Sequence, residues 1–472
     1  MCHFVSLIQI PIFAVQIIHM STQPISSKSS PQLFIESYGC AMNYSDSEIV
    51  ASILTDEGYS LTPDYKLADL ILVNTCAIRE NAETRVRNRL REFNAAKKQN
   101  PKLIIGVMGC MAERLKTSLL ELEKTVDLVV GPDAYRDFPK LIQEVEGGQR
   151  SVNVLLSRDE TYADINPVRL SSNGVAAFIS ITRGCDNMCS FCVVPFTRGR
   201  ERSRDPESIL DEAKDLLSRG YKEVTLLGQN VDSYHFEKDG HTTSFAQLLK
   251  NVAELSPTLR VRFSTSHPKD MTDEVLHAIA DYPNICKYVH LPVQSGSTTL
   301  LEKMNRGYTR EWYLSRIAAI RRIIPNCSIS TDIITGFCGE TEQDHQDTIS
   351  LMNEVKFDFA YMFAYSERPG TLAARKFEDD IPSEVKQSRL AEIVALQQAH
   401  SAFRTAQGVG QVFEVLVEGT SKKSDLQLSG RNSQNSVVVF DQTNCQKGDY
   451  VMVKIESCTP ATLIGKAVSI PV

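Results

Sequence analysis

The stretch "RGCDNMCSFCVVPFTRGRERSR", Arg183 to Arg204, sets Cys185, Cys189 and Cys192 at the spacing C-x3-C-x2-C and follows them with Arg198, Arg200, Arg202 and Arg204. It begins where the apolar run "AFISIT" ends, and that run reads as a β-strand. Further runs of the same kind follow, "EVTLLG", "VRFSTS", "YVHLPV", "ISTDII" and "DFAYMF", separated by helical stretches such as "PESILDEAKDLLSRGY" and "TREWYLSRIAAIRRIIP". This alternation predicts a partial (β/α)6 barrel over residues 174–403, with its chemistry at the carboxyl ends of the strands. The cysteine loop lies at the first of those ends.

Upstream, residues 32–147 repeat one unit: an apolar run, a small turn with a cysteine, then a polar amphipathic stretch. The runs "LFIESYGC", "LILVNTCA" and "LIIGVMGC" end at Cys40, Cys76 and Cys110. Such βα units predict a parallel sheet, with "DLVVGP" closing the domain near Pro132. Residues 148–173 show no sustained period and read as a connector. After a long helical stretch, residues 404–472 change to alternating runs broken by Gly, Ser and Asn, as in "QVFEVLVEGTS" and "DYVMVKIESCTP", which predicts a small antiparallel β-barrel. The whole is an α/β chain with a β-barrel at its end.

At 472 residues, 42% hydrophobic and 23% charged, the chain has the composition of a water-soluble globular protein able to bury its core without disulfides. A net charge of −7 argues against nonspecific coating of nucleic acid but leaves room for a local basic groove. Twelve unevenly placed cysteines point to metal or catalytic use in a reducing compartment, so a cytoplasmic location is expected. Residues 1–31 form an apolar leader that lacks the basic start and small-residue cleavage site of an export signal, and Pro11 interrupts any membrane helix. They are expected to be a disordered leader, or an over-extended start with Met20 as the initiator.

Structural zinc is four-coordinate, and no fourth Cys or His lies near Cys185, Cys189 and Cys192; the next candidate, His267, is distant. Three thiolates on a four-iron cluster instead leave one iron open to a substrate or cofactor. Zinc or free thiols remain the alternative. The spacing after a first barrel strand, with Phe191 between the last two cysteines, resembles the radical S-adenosylmethionine (SAM) superfamily. That resemblance implies SAM bound at the open iron and cleaved to a 5′-deoxyadenosyl radical. It also implies that strand-end segments line the SAM pocket: "LLGQN" with Gln229, "LPVQSGS" with Gln294 and Ser295, and "STDIITGF" with Asp332. The alternative is that these are turn-forming polar residues.

Cys40, Cys76 and Cys110 are too far apart for a local motif, yet each follows a predicted strand by the same offset, so all three should meet at one sheet edge. A second three-thiol cluster site follows. The motifs "YGCAMNYSDSE", "NTCAIRENAE", "GCMAERL", "LLGQNVDSY", "VRFSTSHPKD", "MNRGYTRE" and "TDIITGFCGET" resemble the methylthiotransferases of that superfamily, in the branch that acts on N6-isopentenyladenosine of tRNA, and the last domain resembles a TRAM domain.

The resemblance implies two [4Fe-4S] clusters and two SAM molecules per turnover. One SAM methylates a sulfur on the auxiliary cluster of Cys40, Cys76 and Cys110, and the other yields the radical that takes hydrogen from adenine carbon 2 at position 37. An aromatic C–H is not acidic enough for a side-chain base. The implied partners are a tRNA anticodon stem-loop and a flavodoxin- or ferredoxin-type electron donor, with no membrane and a monomeric chain.

Arg198, Arg200, Arg202 and Arg204 are expected to clamp RNA phosphates, the alternative being a solvated loop paired with Glu201 and Asp205. A second basic run, Arg79, Arg85, Arg87, Arg89 and Arg91, reads equally as an outer helix face. "GFCGET" has Cys338 where the family usually has proline, so a looser turn is expected there. Cys286, Cys327, Cys445 and Cys458 read as buried thiols.

Overall fold

The computed structural model describes residues 30–76, 80–170, 173–442 and 444–469. Nearly all of the leader, and Arg79 of the second basic run, lie outside the described residues.

The N-terminal domain is a six-stranded parallel sheet in the order Ser60–Leu61, Gln32–Tyr38, Leu70–Thr75, Ile104–Met108, Leu128–Val130, Ser151–Asn153. Its central strands Leu70–Thr75 and Ile104–Met108 are buried along their whole length and apolar but for Asn74 and Thr75, as expected where helices cover both faces. Leu70 and Leu72 enter one core with Leu33, Ile49 and Leu54, while Ile71 and Val73 enter the other with Val86, Phe93 and Ile105. The domain does not close at Pro132 as expected. Helix Phe138–Glu146 and the strand Ser151–Asn153 complete it, so the expected connector begins inside the sheet. A three-residue edge strand is too short to show a period in sequence.

The central domain is the expected arc. Strands Ala176–Ser180, Glu223–Leu227 and Arg260–Ser264 form one parallel sheet, and Tyr288–His290, Ser328–Thr335 and Phe359–Ala364 another. The bridge Val261 to Ile285 joins them. Alternate residues such as Val224, Leu226, Val261, Phe263, Ile329 and Ile333 pack outward under the helices, which leaves Thr225, Arg262, Ser330 and Asp332 on the inner face. A hairpin, His235–Lys238 with His241–Ser244, is an insertion the sequence did not announce.

Helix Ser383–Ala406 runs across the boundary expected at 403/404 into a closed five-stranded barrel. That barrel is antiparallel except where Val437–Asp441 pairs in parallel with Thr462–Ser469. It seats on the amino ends of the central strands: Arg260 Nη1 donates to the Arg431 carbonyl and Arg262 Nη2 to the Asn432 carbonyl, both at 2.7 Å. The cysteine loop is at the opposite end. Among the described residues no helix is long and apolar enough to cross a membrane.

Candidate functional site

The loop of Cys185, Cys189 and Cys192 is pinched at its base by a short antiparallel pair, Thr182–Arg183 with Arg202–Ser203. Gly184 turns into it at φ +80°, where a Cβ would lie 2.0 Å from the Arg200 carbonyl oxygen, so the backbones approach too closely for any side chain. The "MNRGY" segment holds the far side. Ser190 N donates to the Met304 carbonyl (2.9 Å), Asn305 Nδ2 to the Met188 carbonyl (2.9 Å), and Arg306 Nη1 to Cys189 Sγ (3.1 Å). Burial pushes the Cys185 thiol up to about 11 and, with Cys189 beside it, the Cys192 thiol up to about 12. A metal would take these protons outright.

Cys40, Cys76 and Cys110 sit at one edge of the N-terminal sheet. Cys40 caps helix Ala41–Asp56, Cys76 follows strand Leu70–Thr75, and Cys110 opens helix Cys110–Leu115. A Cβ on Gly39 would lie 3.1 Å from the Cys76 Cβ, and burial, with Cys40 close by, pushes the Cys110 thiol up. A buried amide pair orders this edge: Asn43 Nδ2 donates to Asn74 Oδ1 (3.0 Å), Asn74 Nδ2 returns to the Asn43 carbonyl (2.6 Å), and Cys40 Sγ donates to Asn43 Oδ1 (3.3 Å). Gly109, at φ +89°, passes where a Cβ would lie 2.3 Å from Asn74 Oδ1.

The two cysteine edges face each other. Val193, next to Cys192, packs on Cys110, and Arg198 Nε donates to Cys110 Sγ at 3.1 Å. The donors are soft thiols with buried cationic N–H groups and no carboxylate ligand, a set that suits iron–sulfur clusters. His267 does not complete a zinc site. It is buried against Tyr308, and burial together with Arg306 and Lys269 drives its pKa down to about 2. Among the described residues, no three His, Cys, Asp or Glu side chains are grouped to hold a single metal ion.

Three of the four arginines expected to clamp RNA are internal. Asp46, fully buried on helix Ala41–Asp56, accepts from Arg183 Nη1 (2.8 Å) and Arg198 Nη2 (2.7 Å). Asp133 accepts from Arg202 Nη1 (2.7 Å). Glu212 pairs with Arg204 and with Arg169, whose other nitrogen reaches Glu48 at 2.9 Å. Burial alone would raise Asp46, but Arg183 and Arg198 prevail and hold its carboxyl below the usual range. Burial wins at Glu48, which is pushed up to about 7 against the pull of Arg169, with Glu212 nearby adding a little. These arginines therefore stitch the N-terminal domain to the barrel. A phosphate clamp needs free guanidinium groups, and only Arg200 of the four is exposed, 3.3 Å from the exposed Asp186. In the second basic run, Arg87 pairs with Glu123 and Arg89 with Glu36, while Arg85 and Arg91 point outward.

The expected SAM-pocket residues separate. Asp332 lies on the inner face, 3.5 Å from His290 Nε2. Gln229 Oε1 accepts from Gly184 N at 2.6 Å and so anchors the cysteine loop. Gln294, at φ +74°, bridges Asp332 and Ile334 through its backbone. Ser295 is wholly buried, its hydroxyl 3.3 Å from that of Thr348. Around Cys338 the turn is not loose: Gly336 and Gly339 take left-handed φ, and Cys338 packs among Phe337 and Tyr365. Cys286, Cys327 and Cys445 are buried and Cys458 half-buried. Sequence reasoning missed Asp46, Asn43, Asn74 and Arg306, although all lie inside the motifs "CAMNYSDSE", "NTC" and "MNRGY".

Family models match three segments: "Uncharacterized protein family UPF0004" at residues 32–131, "Radical SAM superfamily" at 179–352 and "TRAM domain" at 406–468. The fold is shared with the radical S-adenosylmethionine methyltransferase TsrM from Kitasatospora setae, with a TM-score of 0.55 at 16% identity over 73% of this chain and 75% of that one. This is a radical SAM protein with a cysteine-bearing domain before the barrel and a TRAM domain after it. Curated relatives named tRNA-2-methylthio-N(6)-dimethylallyladenosine synthase are similar over nearly the whole length. The Christiangramia forsetii protein is 61% identical across 94% of this chain and 95% of its own, and the Amoebophilus asiaticus protein 61% identical across 92% of each. The chain belongs to the tRNA-2-methylthio-N(6)-dimethylallyladenosine synthase family.

Proposed function

We propose that this chain is a radical SAM methylthiotransferase that converts N6-isopentenyladenosine (dimethylallyladenosine) at position 37 of tRNA to its 2-methylthio derivative. The observation that carries this reading is the meeting of two three-cysteine edges, with Val193 and Arg198 of the radical loop both touching Cys110 of the other set. A radical generator alone requires one such set, and a second beside it supplies a place for the group to be transferred. In this reading Cys185, Cys189 and Cys192 hold one [4Fe-4S] cluster and Cys40, Cys76 and Cys110 the other, both with a ligand position left open. When bound, these groups and SAM supply the 5′-deoxyadenosyl radical and the methylthio group.

The chain's own residues do the rest. Gln229 and the "MNRGY" segment fix the cysteine loop, Asp332 and His290 present polar groups inside the barrel, and the buried Arg–Asp ladder keeps the two edges in register. The adenine has to leave its stack to reach this interior. For RNA contact we assign the exposed rim: Arg200, Lys376, and Phe196 under the Arg375 guanidinium at 5.4 Å, an aromatic–cation pair suited to an unstacked loop base. The TRAM domain, at the far end of the barrel, holds RNA away from the reacting base. A flavodoxin- or ferredoxin-type donor, a monomeric chain and a cytoplasmic location complete the reading.

Nucleoside mass spectrometry of tRNA from cells with and without the gene tests it. Loss of 2-methylthio-N6-isopentenyladenosine, with N6-isopentenyladenosine accumulating, supports the assignment. Loss instead of a methylthiolated threonylcarbamoyladenosine, or of a methylthiolated ribosomal-protein aspartate, would move the chain to a sister activity.

A further inference from the structure

Each three-cysteine set is touched by one buried arginine. Arg306, 5% exposed, gives Nη1 to Cys189 Sγ at 3.1 Å, Nη2 to the Pro292 carbonyl at 2.7 Å and Nε to Tyr308 Oη at 3.0 Å. Arg198, 3% exposed, gives Nε to Cys110 Sγ at 3.1 Å and Nη2 to Asp46, while its Nη1 has no partner among the described residues. The two guanidinium groups come from unrelated segments and arrive at the same kind of atom.

Their carboxylate partners differ: Arg306 has none among the described residues, and Arg198 shares Asp46 with Arg183. Among the described residues Arg306 pairs with no acid: its acceptors are a carbonyl, a phenol and a sulfur. Around Arg198 three buried arginines, Arg183, Arg198 and Arg202, share the buried aspartates Asp46 and Asp133, with Glu113 of the Cys110 helix buried near Asp133. A buried cation without a counter-charge is costly, so a group that brings one is favoured there. The Cys189 site thus holds a buried guanidinium with no acid partner, and the Cys110 site one that shares its acid, each aimed at a thiol. A four-iron cluster with an oxidised core on three thiolates carries about one negative charge, which would supply the counter-charge that Arg306 lacks.

We infer that Arg306 and Arg198 are positioning residues, one for each cysteine set, and that each raises the reduction potential of the group held by its own set through an N–H to sulfur hydrogen bond. Such bonds stabilise the additional electron of a reduced cluster and are among the protein's means of setting its potential. Arg198 has a second consequence. It is carried on the segment that follows Cys192 yet bonds Cys110, so the radical loop itself sets the electronics of the neighbouring site. The inference rests on the reading that both sets hold clusters.

The test is potentiometric titration followed by electron paramagnetic resonance on the full-length chain in two backgrounds, one with Cys185, Cys189 and Cys192 replaced by alanine and one with Cys40, Cys76 and Cys110 so replaced. Arg198→Gln should move the midpoint to more negative potential only where the Cys40 set remains, and Arg306→Gln only where the Cys189 set remains. Arg198→Lys and Arg306→Lys, each keeping one donor, should fall between. Loss of iron from one set alone, with the other set loaded and thermal unfolding unchanged, also supports the positioning role. An unchanged midpoint at full iron content overturns the inference. So does a shift of equal size in both backgrounds, or the loss of both irons sets in the otherwise wild-type chain carrying Arg198→Gln, which would assign Arg198 to domain docking alone. A parent background that binds no iron before any arginine is changed defeats the cluster reading itself.

Discussion

The two cysteine sets present the same chemistry by opposite routes. Cys185, Cys189 and Cys192 lie in one short loop, and their approach is encoded in its turns, the left-handed Gly184 and the Cys192 to Cys189 backbone bond. Cys40, Cys76 and Cys110 come from three separate βα turns and meet because Tyr38 aligns with Thr75 and Asn74 with Met108 across a parallel sheet. The first site depends on a loop, the second on a whole domain. A loop can be pinned by its neighbours after the barrel forms, whereas a sheet edge is correct only when register and both cores are correct.

The comparison is broken most severely by removing one ligand from each side. Cys189→Ala should abolish reductive SAM cleavage, and with it all product, lowering 5′-deoxyadenosine formation by at least about 1,000-fold. Cys76→Ala should leave that cleavage largely intact while methylthiolated tRNA falls to background, with iron dropping from about eight to about four per chain. Product assays and iron analysis on both variants check this. Continued methylthiolation by Cys76→Ala would sink the assignment of the second site.

The next largest effect falls on what the sites share. Asp46 accepts two buried arginines across the interface between the domains. Asp46→Ala leaves both without that acceptor and should destabilise the fold by about 3–5 kcal/mol, read as a lower unfolding temperature and lower iron at both sites. Asp46→Asn, which keeps the shape, should be milder. If Asp46→Ala unfolds like the wild type, the ladder does not hold the two edges together.

Glycines sharpen the contrast further. Gly184→Ala and Gly109→Ala each place a Cβ in left-handed backbone against a fixed oxygen, at an expected cost of about 1–3 kcal/mol. Gly184→Ala should empty the loop site and spare the sheet site, because the backbone carbonyls of Arg200 and Gly199, both in the same loop, stand in its way. Gly109→Ala should do the reverse through Asn74. Equal iron loss at both sites in either variant would show that the two edges are not independently ordered.

What sequence made legible follows the same division. The barrel strands and the places of the cysteines at strand ends were readable because short apolar runs, a cysteine at a fixed offset after the three N-terminal ones, and the tight C-x3-C-x2-C loop after the first barrel strand are local signals. The strand Ser151–Asn153 was not, since three residues carry no period, and neither was the parallel pair in the last barrel, which depends on how a closed sheet returns on itself. The arginines are the instructive error. "TRGRERSR" looks solvated because its acids are elsewhere: Asp46, Asp133 and Glu212 are contributed by other segments, and no local pattern announces a buried partner. Arg306 was missed for the same reason, since its sulfur acceptor is in another loop.

That error leaves one prediction small in size but decisive for where RNA sits. With Arg198, Arg202 and Arg204 enclosed, the cationic rim beside the radical loop is reduced to exposed groups such as Arg200 and the Arg375–Phe196 pair. A single exposed guanidinium on a phosphate contributes modestly and in a salt-dependent way, so Arg200→Gln should weaken tRNA binding a few-fold and lessen its salt dependence by about one phosphate contact. Phe196→Ala removes a stacking surface instead, worth about 1–3 kcal/mol per base, and should weaken binding with the salt dependence unchanged. Filter binding across a salt series separates the two. Wild-type affinity in both variants would move the RNA off this rim, and the exposed arginines of helix Glu80–Gln99, Arg85 and Arg91, would become the next surface to test.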